Sequence, residues 1–345
     1  MKYSDTISKL HETSPVEPLV KRLKAVNKII VHGGKCPDGK ASAMILRQAY
    51  GDQVPIEFVN HGREKDALVP EPGMLFCDIS PEKNWEAFLE AGALVLDHHK
   101  GVKHICQAFV EAGQGAFADE VEHPGVSGAT LAYEYVFKPL MLEEIPSLMD
   151  SIDTGSVCEL GRLAGVRDTW RTKHPEWLEA CKRAEAVSWW PNENLLDAEA
   201  TDWASMFEIG DVLWQKKLKT AEKVGEKAFR FTSVQGTRVA LFQGMRLSSD
   251  VAEYLDHDPV GVDLIVGYDL FVEDGILKQG FSTRSHTGYD CKAMAQAHGG
   301  GGHTAAAGFT VPLTMSRSPN PYKVVETVIN SYQGSWMAKF RKMFL

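Results

Sequence analysis

The chain has 345 residues, 44% of them hydrophobic and 24% charged, with a formal net charge of −9. That length predicts two domains, and no apolar run reaches the roughly 20 residues of a membrane-spanning helix. Net acidity disfavours a grip on long nucleic acid but leaves short phosphorylated ligands open, because a cleft can carry its own local field.

Six scattered cysteines form no C-x-x-C pair, which predicts reduced thiols rather than a disulfide framework or a zinc knuckle. The stretch Met1-Lys-Tyr-Ser-Asp-Thr6 lacks an apolar core, so no secretory signal is expected. A cytoplasmic location without membrane attachment is expected.

Residues 1–27 read as one or two short helices, with Thr13-Ser-Pro-Val-Glu17 as a helix start. Ile29-Ile30-Val31 reads as a buried strand. A turn-rich stretch, His32-Gly-Gly-Lys-Cys-Pro-Asp38-Gly39, and a helix from Lys40 to Tyr50 follow it. Further strands are expected at Val54-Pro-Ile-Glu-Phe-Val-Asn60, at Met74-Leu-Phe-Cys-Asp78-Ile-Ser80 and at Ala93-Leu-Val-Leu96, the last running into Asp97-His98-His99. Strand–helix alternation predicts an α/β domain whose mostly parallel sheet carries helices on both faces. Ligands of such sheets gather beyond the carboxyl ends of the strands. His32 with Asp38, then Asp78, then Asp97-His98-His99 would all be delivered there. Buried carboxylates repel one another unless a cation compensates them, so the constellation predicts a metal site.

In His123-Pro-Gly-Val-Ser127-Gly-Ala-Thr130, Ser127 is a good N-cap. The helix body reads as core, and its start also offers backbone N–H groups to the site. Asp168, in Val166-Arg-Asp-Thr169, supplies another acid, with Asp153 competing for the same role.

Five ordered motifs resemble the DHH phosphoesterase superfamily: Cys-Pro-Asp-Gly (36–39), Cys-Asp-Ile-Ser (77–80), Asp-His-His (97–99), Ser-Gly-Ala-Thr (127–130) and Val-Arg-Asp-Thr (166–169). That superfamily includes RecJ-type exonucleases, short-oligonucleotide hydrolases, cyclic-dinucleotide phosphodiesterases and manganese pyrophosphatases. The resemblance covers Ile29 to Trp170.

Residues 1–190 are expected to form the catalytic domain and 191–227 a helical connector. Trp189-Trp190 lies at their junction, where packing is the favoured reading over stacking on a base. A smaller α/β domain is expected over 228–320, with strands at Thr237-Arg-Val-Ala-Leu-Phe242, Val262-Asp-Leu-Ile-Val-Gly-Tyr268 and Gly280-Phe-Ser-Thr-Arg-Ser285 and a short helix from Asp290 to Ala297. The run Gly299-Gly300-Gly301-Gly302-His303 reads as a phosphate-binding loop, since glycines let backbone N–H groups converge on an anion. Together with Ser-Thr-Arg284-Ser it resembles the substrate-binding domain that follows the DHH domain. Residues 321–345 form a helix-compatible tail with a basic end.

The resemblance implies a manganese-dependent phosphoesterase, with two ions and magnesium or cobalt as substitutes. Its substrates would be short oligonucleotides or small nucleotide phosphodiesters, cleaved in an interdomain cleft. Asp78 would bridge the ions, His32 and Asp38 would hold the first, and His98 and Asp168 the second. Asp97 would orient the imidazoles and His99 would contact the reacting phosphoryl group. Arg284, Gly300, Gly301, Gly302 and His303 would bind the substrate's far end. An exonuclease on longer single strands, a pyrophosphate or polyphosphate hydrolase, and a non-catalytic nucleotide sensor are the alternatives. A homodimer is one option for assembly.

The first motif departs from the commoner pattern, in which the histidine stands four residues before the first acid and a second acid follows two residues later. Here His32 precedes Asp38 by six residues and position 40 is lysine. Cys36 and Cys77 are assigned to packing.

Overall fold

The apolar runs of the first half become the strands of one sheet. The computed structural model describes residues 2–33, 36–60, 62–144, 154–189, 203–256, 261–273, 275–313 and 320–330. In it, β1 (Lys28–His32), β2 (Ile56–Val59), β3 (Met74–Cys77), β4 (Leu94–Asp97) and β5 (Gly115–Phe117) lie in the order β2-β1-β3-β4-β5. Every pairing is parallel. The five carboxyl ends therefore share one edge, and the order reverses beside β1, the place where sheets of this kind bind ligands.

Both faces are covered. Ile29, Val31, Leu75, Cys77, Leu94 and Leu96 enter one buried cluster, which also holds Leu10, Leu19 and Met44 from the helices Tyr3–Thr13, Glu17–Leu23 and Pro37–Tyr50. Ile30, Met74, Phe76 and Val95 enter another, with Phe88, Ile105 and Phe109 from the helices Trp85–Glu90 and Lys103–Glu111. Burial on both sides is why β3 and β4 read as continuous apolar runs rather than alternating ones.

Two local differences from the sequence reading bear on the site. The helix expected from Lys40 begins at Pro37, because proline in the first turn pre-sets φ and needs no N–H partner. Asp38 therefore sits on the first helical turn rather than in a loop. Strand β5 is not expected from the sequence. It is three residues long and opens on Gly115, where an added Cβ would lie 2.6 Å from the Val95 carbonyl oxygen of β4.

The chain divides into two units, Met1–Trp214 and Gln215–Leu345, at a point inside the helix Trp203–Glu226. The second unit has a six-stranded mixed sheet. It comprises β6 (Phe229–Thr232), β7 (Arg238–Gln243), β8 (Leu264–Glu273), β9 (Ile276–Arg284), β10 (Gly301–His303) and β11 (Ala306–Pro312), ordered β10-β11-β9-β8-β7-β6. Only β7 and β8 pair in parallel. Such a pair needs a crossover, and the helix Ser248–Leu255 lies between the two strands in sequence. The expected helix after Asp290 runs Cys291–Gln296, with the Asp290 carboxylate accepting from the Ala293 N–H at 2.9 Å. No described helix is long and apolar enough to cross a membrane. Asp153, Trp190 and residues 331–345 lie outside the described residues.

Candidate metal centre

Five segments bring ligating side chains to the carboxyl edge of the first sheet. β1 ends in His32, β3 is followed by Asp78, and β4 ends in Asp97 with His98 and His99 next in line. The helix Pro37–Tyr50 contributes Asp38, and the helix Thr154–Asp168 contributes its last residue. Asp78 adopts a φ of 60°, a left-handed conformation that aspartate tolerates better than most residues. Its N–H donates to the Leu96 carbonyl at 3.0 Å, which ties the turn to β4.

The two carboxylate oxygens of Asp78 face different partners. Oδ1 lies 3.2 Å from His98 Nε2 and 3.9 Å from His99 Nδ1. Oδ2 lies 3.4 Å from His32 Nδ1 and 3.5 Å from Cys36 Sγ. His98 Nε2 is in turn 3.4 Å from Asp168 Oδ2 and 3.7 Å from Asp38 Oδ2. Three groups of potential ligands result: His32, Cys36 and Asp78; Asp78, His98 and His99; and Asp38, His98 and Asp168.

Asp38 is held by the start of the next helix. It accepts from Ser127 Oγ at 2.6 Å, the Gly128 N–H at 2.8 Å and the Ala129 N–H at 3.1 Å. The backbone N–H groups expected to be available to a ligand are therefore committed to this carboxylate. Ser127 and Thr130 form a reciprocal capping box at the same helix start. Gly128 is required there, since a Cβ would lie 2.4 Å from Asp78 Cβ and 2.9 Å from Asp38 Oδ2.

Asp97 is hydrogen-bonded on both carboxylate oxygens. Its Oδ1 accepts from the backbone N–H groups of His98 and His99 at 2.7 and 3.0 Å and lies 2.7 Å from His99 Nδ1. Its Oδ2 accepts from Ser80 Oγ at 2.5 Å. Carboxylate–imidazole pairs of this kind fix ring orientation.

The electrostatics call for a cation. Burial pushes Asp38 well above the usual carboxylate range, and the charges of Asp78 and Asp168 push it further. Burial also acts upward on Asp78, but hydrogen bonds from His32 and His98, with the charges of His98 and His99, outweigh it and hold that group far below the range. Burial disfavours a charged His98, yet the Asp78 hydrogen bond and the charges of Asp168, Asp78 and Asp38 raise it to about 10. A proton on His98 thus supplies positive charge that a metal ion would supply more fully. Carboxylate and imidazole donors suit a divalent ion, so the residues present fit one.

No family model matches the sequence, and neither does any curated protein. Solved structures do. One is the DHH domain of a member of a ribosomal-protein family, with a TM-score of 0.56 at 13% identity over 91% of this chain and 87% of that one. Another is an exopolyphosphatase-related protein from Bacteroides fragilis, with a TM-score of 0.50 at 12% identity over 91% and 95% of the two chains. The chain shares the fold of these structures, the first of them a DHH domain.

Within the DHH fold, the structure brings His32, Asp38, Asp78, Asp97, His98, His99 and Asp168 together, but it groups them differently from the sequence reading. Asp38 stands with His98 and Asp168 rather than with His32, and His32 stands with Cys36. The sequence reading assigns Cys36 to packing; the signal against that is its position four residues after His32, where the commoner pattern has an acid. Lys40 is buried and donates to the Ser188 carbonyl at 3.1 Å.

In the second unit, Arg284 ends β9. Its Nε donates to Ser249 Oγ at 3.0 Å, and its Nη1 donates to Ser282 Oγ at 3.2 Å and the Thr283 carbonyl at 2.8 Å. Gly301, Gly302 and His303 form strand β10 rather than a loop, with His303 paired to Ala306 and Ala306 to Arg284. The backbone register therefore sets His303, Ala306 and Arg284 in one row. The His303 side chain lies outside the described residues.

Proposed function

We propose that this chain is a divalent-metal-dependent phosphoesterase that hydrolyses short oligonucleotides or small nucleotide phosphodiesters, with manganese as the principal ion. The observation that carries the reading is the split of Asp78, whose two oxygens face His32 and Cys36 on one side and His98 and His99 on the other. One carboxylate shared between two ligand sets is the arrangement a pair of ions needs. Bound ions would supply an activated water at neutral pH and neutralise charge on the phosphoryl group. Asp38, fixed by Ser127, Gly128 and Ala129, keeps one ligand set in place without rearrangement. His99, tied through Nδ1 to Asp97, is assigned to donate a hydrogen bond to a phosphoryl oxygen. Arg284, Gly300, Gly301, Gly302 and His303 are assigned to another phosphate of the same substrate.

The test is hydrolysis of labelled RNA and DNA from dinucleotides to long strands, with cyclic dinucleotides and pyrophosphate alongside, in manganese and in chelator. Metal-dependent cleavage concentrated on the shortest oligonucleotides, abolished in Asp78→Asn, is the expected result. Equal cleavage of long strands would replace the substrate assignment with an exonuclease. Cleavage that persists in chelator would remove the metal from the mechanism.

A further inference from the structure

We propose that Cys36 is a metal ligand, so that the chain holds two unlike ion sites: a nitrogen–sulfur–oxygen site at His32, Cys36 and Asp78, and an oxygen–nitrogen site at Asp38, His98 and Asp168. The proposal deepens the metal-dependent reading above and rests on it.

Three observations carry it. The first is distance. Bonds of about 2.0–2.3 Å from one ion place neighbouring tetrahedral ligands about 3.3–3.8 Å apart. Asp78 Oδ2 lies 3.4 Å from His32 Nδ1 and 3.5 Å from Cys36 Sγ, and the three ligand atoms lie within 4.8 Å of one another. The second is the setting of the thiol. Cys77, Cys106 and Cys291 each belong to a hydrophobic cluster, whereas Cys36, like Cys158 and Cys181, belongs to none of the four among the described residues. Its sulfur lies against a carboxylate instead. The third is how the chain places it. Gly39 lets the helix start sit against the end of β1, since a Cβ there would come within 2.4 Å of the His32 carbonyl oxygen. Cys36, the residue preceding that helix, is thereby brought beside His32.

The consequence is selectivity. A thiolate is a soft donor that favours zinc, cobalt or ferrous iron over manganese and magnesium, while the oxygen-rich site keeps the opposite preference. Binding forms a metal–sulfur bond and releases the thiol proton to solvent; no electron is transferred.

Titration of the reduced full-length chain with cobalt(II) tests this without any assay of activity. The expected result is a sulfur-to-cobalt charge-transfer band in the near ultraviolet and protection of Cys36 from alkylation, located by peptide mass. Cys36→Ser should lose the band and weaken binding of one equivalent by at least the roughly tenfold that loss of a partner supporting a ligand costs. Cys36→Asp should bind without the band and shift toward manganese. Cobalt binding without a band, or a band that survives in Cys36→Ser, overturns the ligand while leaving the metal-dependent reading intact. Absence of cobalt binding overturns both. Should either variant fail to fold, the band and the protection in the wild-type chain still decide.

Discussion

At the end of β3, Asp78 turns out of strand geometry with a φ of 60°, and the turn leaves its side chain packed against the bare backbone of Gly128. Gly128→Ala would set a Cβ 2.4 Å from Asp78 Cβ, a contact that neither backbone relieves without moving. We expect that variant to fold, as judged by circular dichroism, but to lose at least about tenfold in affinity for manganese or cobalt. Wild-type affinity would mean that Asp78 is not held by this contact. Ser127→Ala removes both the helix cap and the shortest hydrogen bond to Asp38. Its expected cost is about 1–3 kcal/mol in urea unfolding, and an unchanged midpoint would refute the assigned role. Most of the candidate ligand residues are legible in the sequence because a helix cap accounts for one acid at a strand end, not for acids and imidazoles at three successive ones. Their grouping is not legible. Counting residues from His32 to Asp38 does not show that a helix begins between them at Pro37 and carries Asp38 toward His98. Cys36 escapes notice because thiols usually serve cores, as Cys77 and Cys106 do.

Among the elements, the parallel strands β7 and β8 are clipped at one end by a single ion pair. Asp263 accepts from the Arg238 backbone N–H at 2.9 Å, from Nε at 3.0 Å and from Nη2 at 2.8 Å. The Arg238 hydrogen bond holds the Asp263 carboxyl below its usual range, against a smaller upward push from burial. A depressed folded-state value means that the ionised form favours the fold. That contribution is complete above the unfolded value of about 3.9 and is lost as pH falls through the folded one. Asp263→Asn should therefore be less stable than the wild type at neutral pH, with the gap closing on acidification below about pH 4. Denaturation across that range checks it, and a gap that does not narrow would mean the charge contributes nothing. Legibility at this scale follows burial. The strands β1, β3 and β4, covered on both faces, are plain in the sequence. β6 is not, because its Phe229-Arg230-Phe231-Thr232 alternation is only four residues long and three of them are exposed. The glycines of β10 read as a loop, but two of the four glycines of that run answer to crowding. A Cβ at Gly300 would lie 2.1 Å from the Gly308 carbonyl oxygen, and one at Gly302 would lie 2.5 Å from that of Ala306. A glycine in a strand often marks such an approach.

Across the whole molecule, the distribution of tryptophan offers a way to watch the metal centre through stability. Seven of the eight tryptophans (Trp85, Trp170, Trp177, Trp189, Trp190, Trp203 and Trp214) fall in the unit Met1–Trp214 that carries the candidate ligands, and only Trp336 falls in the other. Fluorescence-detected unfolding therefore reports chiefly on that unit. Asp38 and Asp78 are buried there at 2% and 1% exposure, and a cation that binds them in the folded chain has no comparable site once the strands separate. Linkage then requires a gain of about 2.7 kcal/mol when free metal stands a hundredfold above its dissociation constant. Manganese should raise the urea midpoint of the fluorescence transition by that amount divided by the denaturant slope, and chelator should return it. In Asp78→Asn the shift should disappear, because the charge facing both His32 and His98 is lost and one of the two oxygens becomes an amide nitrogen. A shift that survives in Asp78→Asn would place the stabilising ion elsewhere. No shift at any metal concentration would remove the cation from this centre and favour a nucleotide sensor over a hydrolase.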